Sequence, residues 1–178
     1  EAPLARTPAV AMAWRMPERT HPDAIPLLLL GELLHNGRAS RLYSGLVEGR
    51  QIATDLSGGF NPFQGGTWYD GATLFLSRLG YRRDVSERAV LAAFDEEVAR
   101  IVRDGVGEGE LARVKTKVLT DWYAGLEPRL GLAVEIAQAV AFSGAPEALL
   151  EFPGQIDAVT DDELRRAARW LDPRTRAA

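Results

Sequence analysis

The chain has 178 residues, 46% of them hydrophobic and 26% charged, and a net charge of −4, which fits one domain with a substantial core and disfavours a general nucleic-acid or anionic-membrane surface. It has no cysteine, so disulfides and thiolate zinc sites are excluded, while the redox compartment stays open because oxidising and reducing environments both permit such a chain. The longest apolar run, Ile25 to Leu34, is far too short to span a bilayer and contains Pro26. The start, Glu1-Ala2-Pro3, looks like neither a signal peptide nor an initiator methionine, so the chain is expected to be processed or cut from something longer.

Thr7 to Pro17 reads as a first strand: Val10, Met12, Trp14 and Met16 fall on one face and Ala9, Ala11, Ala13 and Arg15 on the other. Both faces are largely apolar, which predicts a central strand. Thr20-His21-Pro22-Asp23-Ala24 reads as a helix start, with Thr20 or His21 near the N-cap, Pro22 in the first turn and Asp23 favourable to the helix dipole. That helix runs to about Leu34. Asn36-Gly37 then punctuates two apolar helical runs, with Ser40 or the Asn36 amide placed to cap the second, which ends near Gly49. Gln51 to Phe60 and Trp68 to Leu79 alternate as the two strands of a long hairpin. Its connection, Asn61 to Thr67, combines turn residues with an aromatic and should project from the end of the sheet.

From Asp84 the pattern is helical. Asp84-Val85-Ser86-Glu87 has the form of a capping box, Val90, Phe94, Val98 and Ile101 give one apolar stripe, and Gly105 closes the helix. Leu111, Val114, Val118 and Trp122 continue to about Leu126; after Pro128, Leu132, Ile136, Ala137 and Val140 carry a further helix to Gly144. Pro146 and Pro153 suit helix starts, and a second capping box, Thr160-Asp161-Asp162-Glu163, opens a last helix that buries Leu164, Ala168 and Leu171. The expected fold class is α+β, a single domain over residues 1–178 with helices layered on one face of a mainly antiparallel sheet.

The ordered series Thr7-Pro8-Ala9-Val10-Ala11, His21-Pro22-Asp23-Ala24 and Gly37-Arg38-Ala39-Ser40-Arg41-Leu42-Tyr43 resembles the C-terminal, "inactive" domain of insulinase-like M16 zinc peptidases. So do Asp104-Gly105-Val106, Glu110 to Lys115 and Ile156 to Thr160, in the right order and spacing. The resemblance implies an M16 metallopeptidase-like (LuxS/MPP-like) domain, a fragment of a longer two-domain chain. In that arrangement two related domains enclose a peptide, one of them carrying an inverted zinc motif, His-x-x-Glu-His. Two histidines about one turn apart present neutral nitrogens to one metal there, and the Glu takes a proton from zinc-bound water. This chain has no such motif; by alignment Leu28, Gly31 and Glu32 occupy the three positions. The resemblance therefore implies no catalytic residue and no metal ligand here, with zinc in a partner catalytic domain of the same or another chain. Family members often place an Arg and a Tyr on or beside the hairpin to bond the substrate carbonyl; Gln64 falls near the Arg position and Thr73 or Phe75 near the Tyr position, while Tyr69 is wrongly spaced.

Candidate peptide contacts are Phe60, Phe63, Gln64 and Trp68 around the hairpin tip; for the aromatics, peptide or partner contact and local packing are equally open. Gly37, Arg38, Ser40, Arg41 and Tyr43 form the structural signature. Arg38 and Arg41 suit a substrate carboxylate, or, the preferred reading, helix-end carbonyls and Glu48. Glu32 and His35, three apart, lack further metal ligands, and His35 reads better as a corner histidine. Ser40 and Ser44 lack a histidine base, and Gly58-Gly59 and Gly65-Gly66 lack the lysine and context of a phosphate loop. The expected function is a non-catalytic chamber domain that binds extended peptide while another domain does the zinc chemistry. The runner-up is an inert scaffold or peptide-binding subunit; an independent enzyme is a third reading. The expected location is the periplasm or cell envelope, and a missing final strand would leave a sheet edge open to self-association.

Overall fold

The computed structural model describes residues 7–63 and 66–178. Strand β1 (Ala9–Met16), strand β2 (Ala53–Phe60) and strand β3 (Thr73–Tyr81) form one antiparallel sheet in the order β1-β3-β2. The register pairs Ala13 with Leu76 and Trp14 with Phe75 on one side of β3, and Ser57 with Arg78 and Gly58 with Ser77 on the other. The α+β class and the hairpin stand. The central strand, however, is β3 and not β1, whose outer side carries a two-way bridge to the chain's end: the Ala13 N–H donates to the Ala177 carbonyl at 2.8 Å and the Ala177 N–H to the Ala13 carbonyl at 2.9 Å. The apolar second face of β1 is made of alanines, which carry too little apolar area to demand cover.

Val10, Met12, Trp14 and Met16 are buried beneath helices, with Trp14 stacked on Phe94 at 5.4 Å and edge-on to Phe75 at 6.3 Å. Helix α1 (Ala24–His35) lies across the sheet, burying Leu27, Leu29, Leu30, Leu33 and Leu34 against β2 and the C-terminal helices. Each fully buried leucine stabilises the fold by about 1.5–3 kcal/mol. The helix starts later than the sequence suggests. Residues 18–24 form two successive turns, the Asp23 N–H donates to His21 Nδ1 at 3.1 Å, and Asp23, not Thr20 or His21, is the N-cap, so Pro22 lies outside and Pro26 in the first turn. The Asp23 carboxylate does not cap. It is buried, accepting from Arg166 Nε at 2.6 Å and Trp170 Nε1 at 2.9 Å.

After the corner a π-helix spans Tyr43–Gly49. Helices α2 (Glu87–Asp104), α3 (Glu108–Leu126), α4 (Arg129–Ser143), α5 (Phe152–Ala158) and α6 (Asp161–Ala168) complete the layer, with a 3₁₀ segment Pro146–Glu151 before α5. Ser86 caps α2 by accepting from the Ala89 N–H at 3.3 Å; Asp84 is drawn off by Arg82 at 2.7 Å, which displaces the expected capping box. The box at Thr160 and Glu163 forms in full. Leu132, Ile136, Ala137 and Val140 carry α4 as expected, but none of the four is buried.

Candidate functional site

Helices cover one face of the sheet and leave the other open. Strand alternation puts Ala9, Ala11, Ala13 and Arg15 of β1, Leu74, Leu76 and Arg78 of β3, and Asp55 and Ser57 of β2 on that open face. Four of the nine, Ala9, Ala11, Ala13 and Ser57, are small, which keeps this face shallow along β1. An ion pair interrupts it, Arg78 with Asp55, and the guanidinium holds the Asp55 carboxyl below the usual carboxylate range. Gly80 makes this pairing possible, since a Cβ there would collide with the Asp55 carboxylate. The result is a smooth, weakly charged wall.

The loop joining β2 to β3 rises from one end of this wall. It is built on Asn61, buried in the left-handed conformation at φ 49°, whose Oδ1 accepts from Thr73 Oγ1 at 2.8 Å. Of the predicted contacts, Phe60 is buried edge-on to Tyr69 at 5.7 Å, and the Tyr69 hydroxyl donates to the Pro17 carbonyl at 3.2 Å; burial pushes that phenol up to about 12. Trp68 leans away onto α4: it stacks on Phe142 at 6.3 Å, donates from Nε1 to Glu135 at 2.7 Å and lies 5.7 Å from the Arg19 guanidinium, which itself bonds the Phe142 carbonyl at 2.6 Å. This clasp, with the left-handed turn at Gly71, delays the start of the expected strand to Thr73, so residues 68–72 are loop. Phe63 alone of the three aromatics stands free, 78% exposed at the tip. Gln64 lies outside the described residues. Clefts of about 380 and 280 Å³ flank the clasp, the first lined by Arg19, His21, Trp68 and Phe152, the second by Glu18, Arg19, Tyr69 and Phe142. Sequence reasoning misses Arg19, Glu135 and Phe142, because a contact between a loop and a helix 67 residues away leaves no local pattern.

The corner is a fastening. Gly37 turns the chain at φ 78°; Arg38 lies over the Tyr43 ring at 5.7 Å and pairs with Glu48 at 2.7 Å. Arg41 pairs with Glu110 at 2.6 Å and donates to the Gly105 carbonyl at 3.1 Å, tying the corner to the α2–α3 junction. Neither expected cap forms. The Asn36 amide donates to Glu32 at 2.5 Å, and the buried Ser40 hydroxyl has no partner among the described residues, while its carbonyl accepts from Ser44.

At the positions corresponding to a zinc motif the residues do not fit a metal. Gly31, aligned with the motif's proton-accepting Glu, is where α1 touches the sheet: a Cβ there would sit 2.9 Å from the Phe60 nitrogen and 3.2 Å from the Gly59 Cα, so the side chain of a base has no room. Leu28 is apolar, Glu32 holds Asn36, and no group of three or more His, Cys, Asp or Glu is placed to bind a metal among the described residues. His35 turns inward instead. Its Nδ1 meets the Gly31 carbonyl at 3.3 Å, which can only accept, so the proton sits on Nδ1 and Nε2, at 2.9 Å, accepts from the Ser77 hydroxyl. This has the form of a serine–histidine pair, yet both residues are buried and no substrate can reach them. Burial holds His35 down at about 4, partly offset by the Gly31 bond. A signal for Ser77 exists in the sequence: it is a polar residue at an inward position of β3.

The sequence pattern of the family described as peptidase M16 inactive domain matches residues 2–118. Among curated proteins none matches. The fold is similar to the inactive peptidase domain of a candidate zinc protease from Bordetella parapertussis, with TM-score 0.80 and 22% identity over 96% of this chain and 90% of that one. It is similar as well to a protease from Helicobacter pylori, with TM-score 0.81 and 19% identity over 94% of this chain and 39% of that one. The periplasmic protease PqqL from Escherichia coli aligns with TM-score 0.67 and 17% identity over 91% of this chain and 17% of that one. At these identities the likeness is one of fold, and this chain spans well under half of the Helicobacter and Escherichia proteins. With the sequence pattern matched over more than half its length, the chain belongs to the peptidase M16 inactive-domain family.

Proposed function

We propose that this domain is the substrate-facing, non-catalytic half of an M16-type zinc metalloendopeptidase, a single domain of a longer two-domain protein. The observation that carries this reading is the open sheet face, a shallow wall with small side chains at Ala9, Ala11, Ala13 and Ser57 against which an extended peptide can lie, its main-chain hydrogen bonds being made at a sheet edge. Phe63 is the peptide-facing tip, Phe60 and Trp68 hold the arm that presents it, and Gln64, next in sequence, is proposed as a further peptide contact. Zinc, bound by the catalytic domain of the same or a partner chain, supplies activated water there. The periplasmic name of the Escherichia coli protein supports an envelope location.

The test uses the parent protein. If its reading frame or a neighbouring one encodes His-x-x-Glu-His, Ala11→Trp and Ala13→Trp on the open face should lower kcat/KM for an unstructured peptide at least tenfold, with zinc content and Tm unchanged. Absence of the motif from both frames, or full activity in both variants, sinks the proposal.

A further inference from the structure

Arg19 is a half-buried cation that the fold does not neutralise. Its guanidinium lies over the Trp68 and Phe142 rings, 5.7 and 5.8 Å from their centres, and donates to the Phe142 carbonyl at 2.6 Å. A guanidinium carries several more N–H groups, and none of these has an acceptor, nor has Arg19 an ion-pair partner, among the described residues. The rings occupy its faces, so a ligand meets it at the edge, where a fork of N–H groups suits a carboxylate.

The larger cleft beside the clasp, about 380 Å³, is lined by Arg19 and by Glu151, an exposed carboxylate that likewise has no ion-pair or hydrogen-bond partner among the described residues. Ile25, Trp68 and Phe152 give it apolar walls. It opens where the start of α1, the end of α4, the 3₁₀ segment and α5 meet, on the helical side of the sheet and apart from the open face. One unspent cation and one unspent anion thus share an apolar cleft without bridging each other. A ligand that completes both carries a charge of each sign and apolar substance.

We infer that this cleft binds a short zwitterionic peptide, a dipeptide with apolar side chains, its carboxylate on Arg19, its ammonium on Glu151 and a side chain against Trp68 and Phe152. The volume sets the length, since it lies near the bottom of the roughly 300–1,000 Å³ range of small-molecule pockets and admits one or two residues with both ends inside. A simple anion fits less well, because Glu151 repels it. The neighbouring cleft of about 280 Å³ also borders Arg19, but Glu18 and Asp70 line it and oppose a carboxylate there.

Calorimetric titration of the chain with leucyl-phenylalanine should give a dissociation constant on the order of 0.1 mM. In amide spectra the dipeptide should shift the Trp68 indole N–H and leave that of the buried Trp14 in place. Acetylating its amine or amidating its carboxyl should each weaken binding about tenfold or more, and glycyl-glycine, with both charges and no apolar side chain, should lose about as much. Glu151→Gln, at an exposed position, should remove the penalty for acetylation and keep that for amidation. Arg19→Gln should do the reverse, an exchange that misfolding cannot imitate. No binding at about 5 mM, equal affinity for the free and capped dipeptides, or an acetylation penalty that survives Glu151→Gln overturns the inference. So does binding that leaves the Trp68 indole unmoved.

Discussion

Helices α1 and α4 are both rich in apolar residues and both lack an acidic residue in the first turn, yet they end in opposite surroundings. Sheet, α3 and α6 enclose α1, whose leucines are almost all inaccessible; α4 buries only Ala139 fully and shows its leucines and valines to solvent. The difference lies in what each helix can touch. Gly31 lets α1 settle onto the backbone of β2, with no side chain between them, whereas α4 is held through Phe142, Glu135 and its contacts with the 3₁₀ segment that follows. Apolar periodicity therefore predicts a helix, and the packing of neighbouring elements decides whether its apolar side is covered within the domain.

Substitutions should separate the two helices sharply. Leu30→Ala, in the middle of α1, should cost about 2–5 kcal/mol in urea unfolding. A loss under about 1 kcal/mol would mean that the α1–sheet contact is looser than the geometry indicates. Acid should attack the same helix through His35. Its folded-state value, about 4, lies below the ordinary 6.5, so the neutral ring is favoured in the native state and the unfolded chain binds the extra proton. Stability from this group is therefore complete above about pH 6.5 and falls by about 3 kcal/mol as pH drops toward about 4. His35→Gln should flatten that slope between the two values, and a wild-type slope that persists in the variant would assign the effect to other groups.

Smaller effects sharpen the contrast. Gly31→Ala gains helix propensity of about 1 kcal/mol but forces a methyl against backbone, and a net loss of about 1–2 kcal/mol is expected in the same unfolding assay. Thr160→Ala, which opens the capping box of α6, should cost about 1 kcal/mol. At the bottom of the scale Val134→Ser on the exposed side of α4 should shift stability by no more than about 0.5 kcal/mol, read by calorimetry.

Much of this architecture is written locally. The alternation of Val10 to Met16, the stripe Val90 to Ile101, the stop at Gly105 and the Thr160 box are all short-range signals, and the structure follows them. The misplacements come where a distant group competes for a local one. Arg82 takes Asp84 from its cap, Arg166 and Trp170 take Asp23, and Phe142 and Glu135 take Trp68 from the strand that its neighbours favour. The hairpin, its exposed Phe63 and the corner at Gly37 are readable in the sequence; the inward turn of Phe60 and the His35–Ser77 pair depend on which side of the sheet the helices cover, which no single segment encodes.

The ties between the first strand and the chain's end bear on how the domain is made. Trp14 bonds the Asp172 carbonyl across 158 residues, Asp23 holds Arg166 and Trp170 across 143 and 147, and Arg176 reaches Asp95 across 81. Native closure of β1 and α1 must therefore wait for the last helix, and contacts of this separation slow folding because a long loop is ordered before they form. On the ribosome, the apolar face of β1 and the start of α1 stay without their final cover until α6 has emerged, which makes that interval the one in which the nascent chain most needs protection from its neighbours.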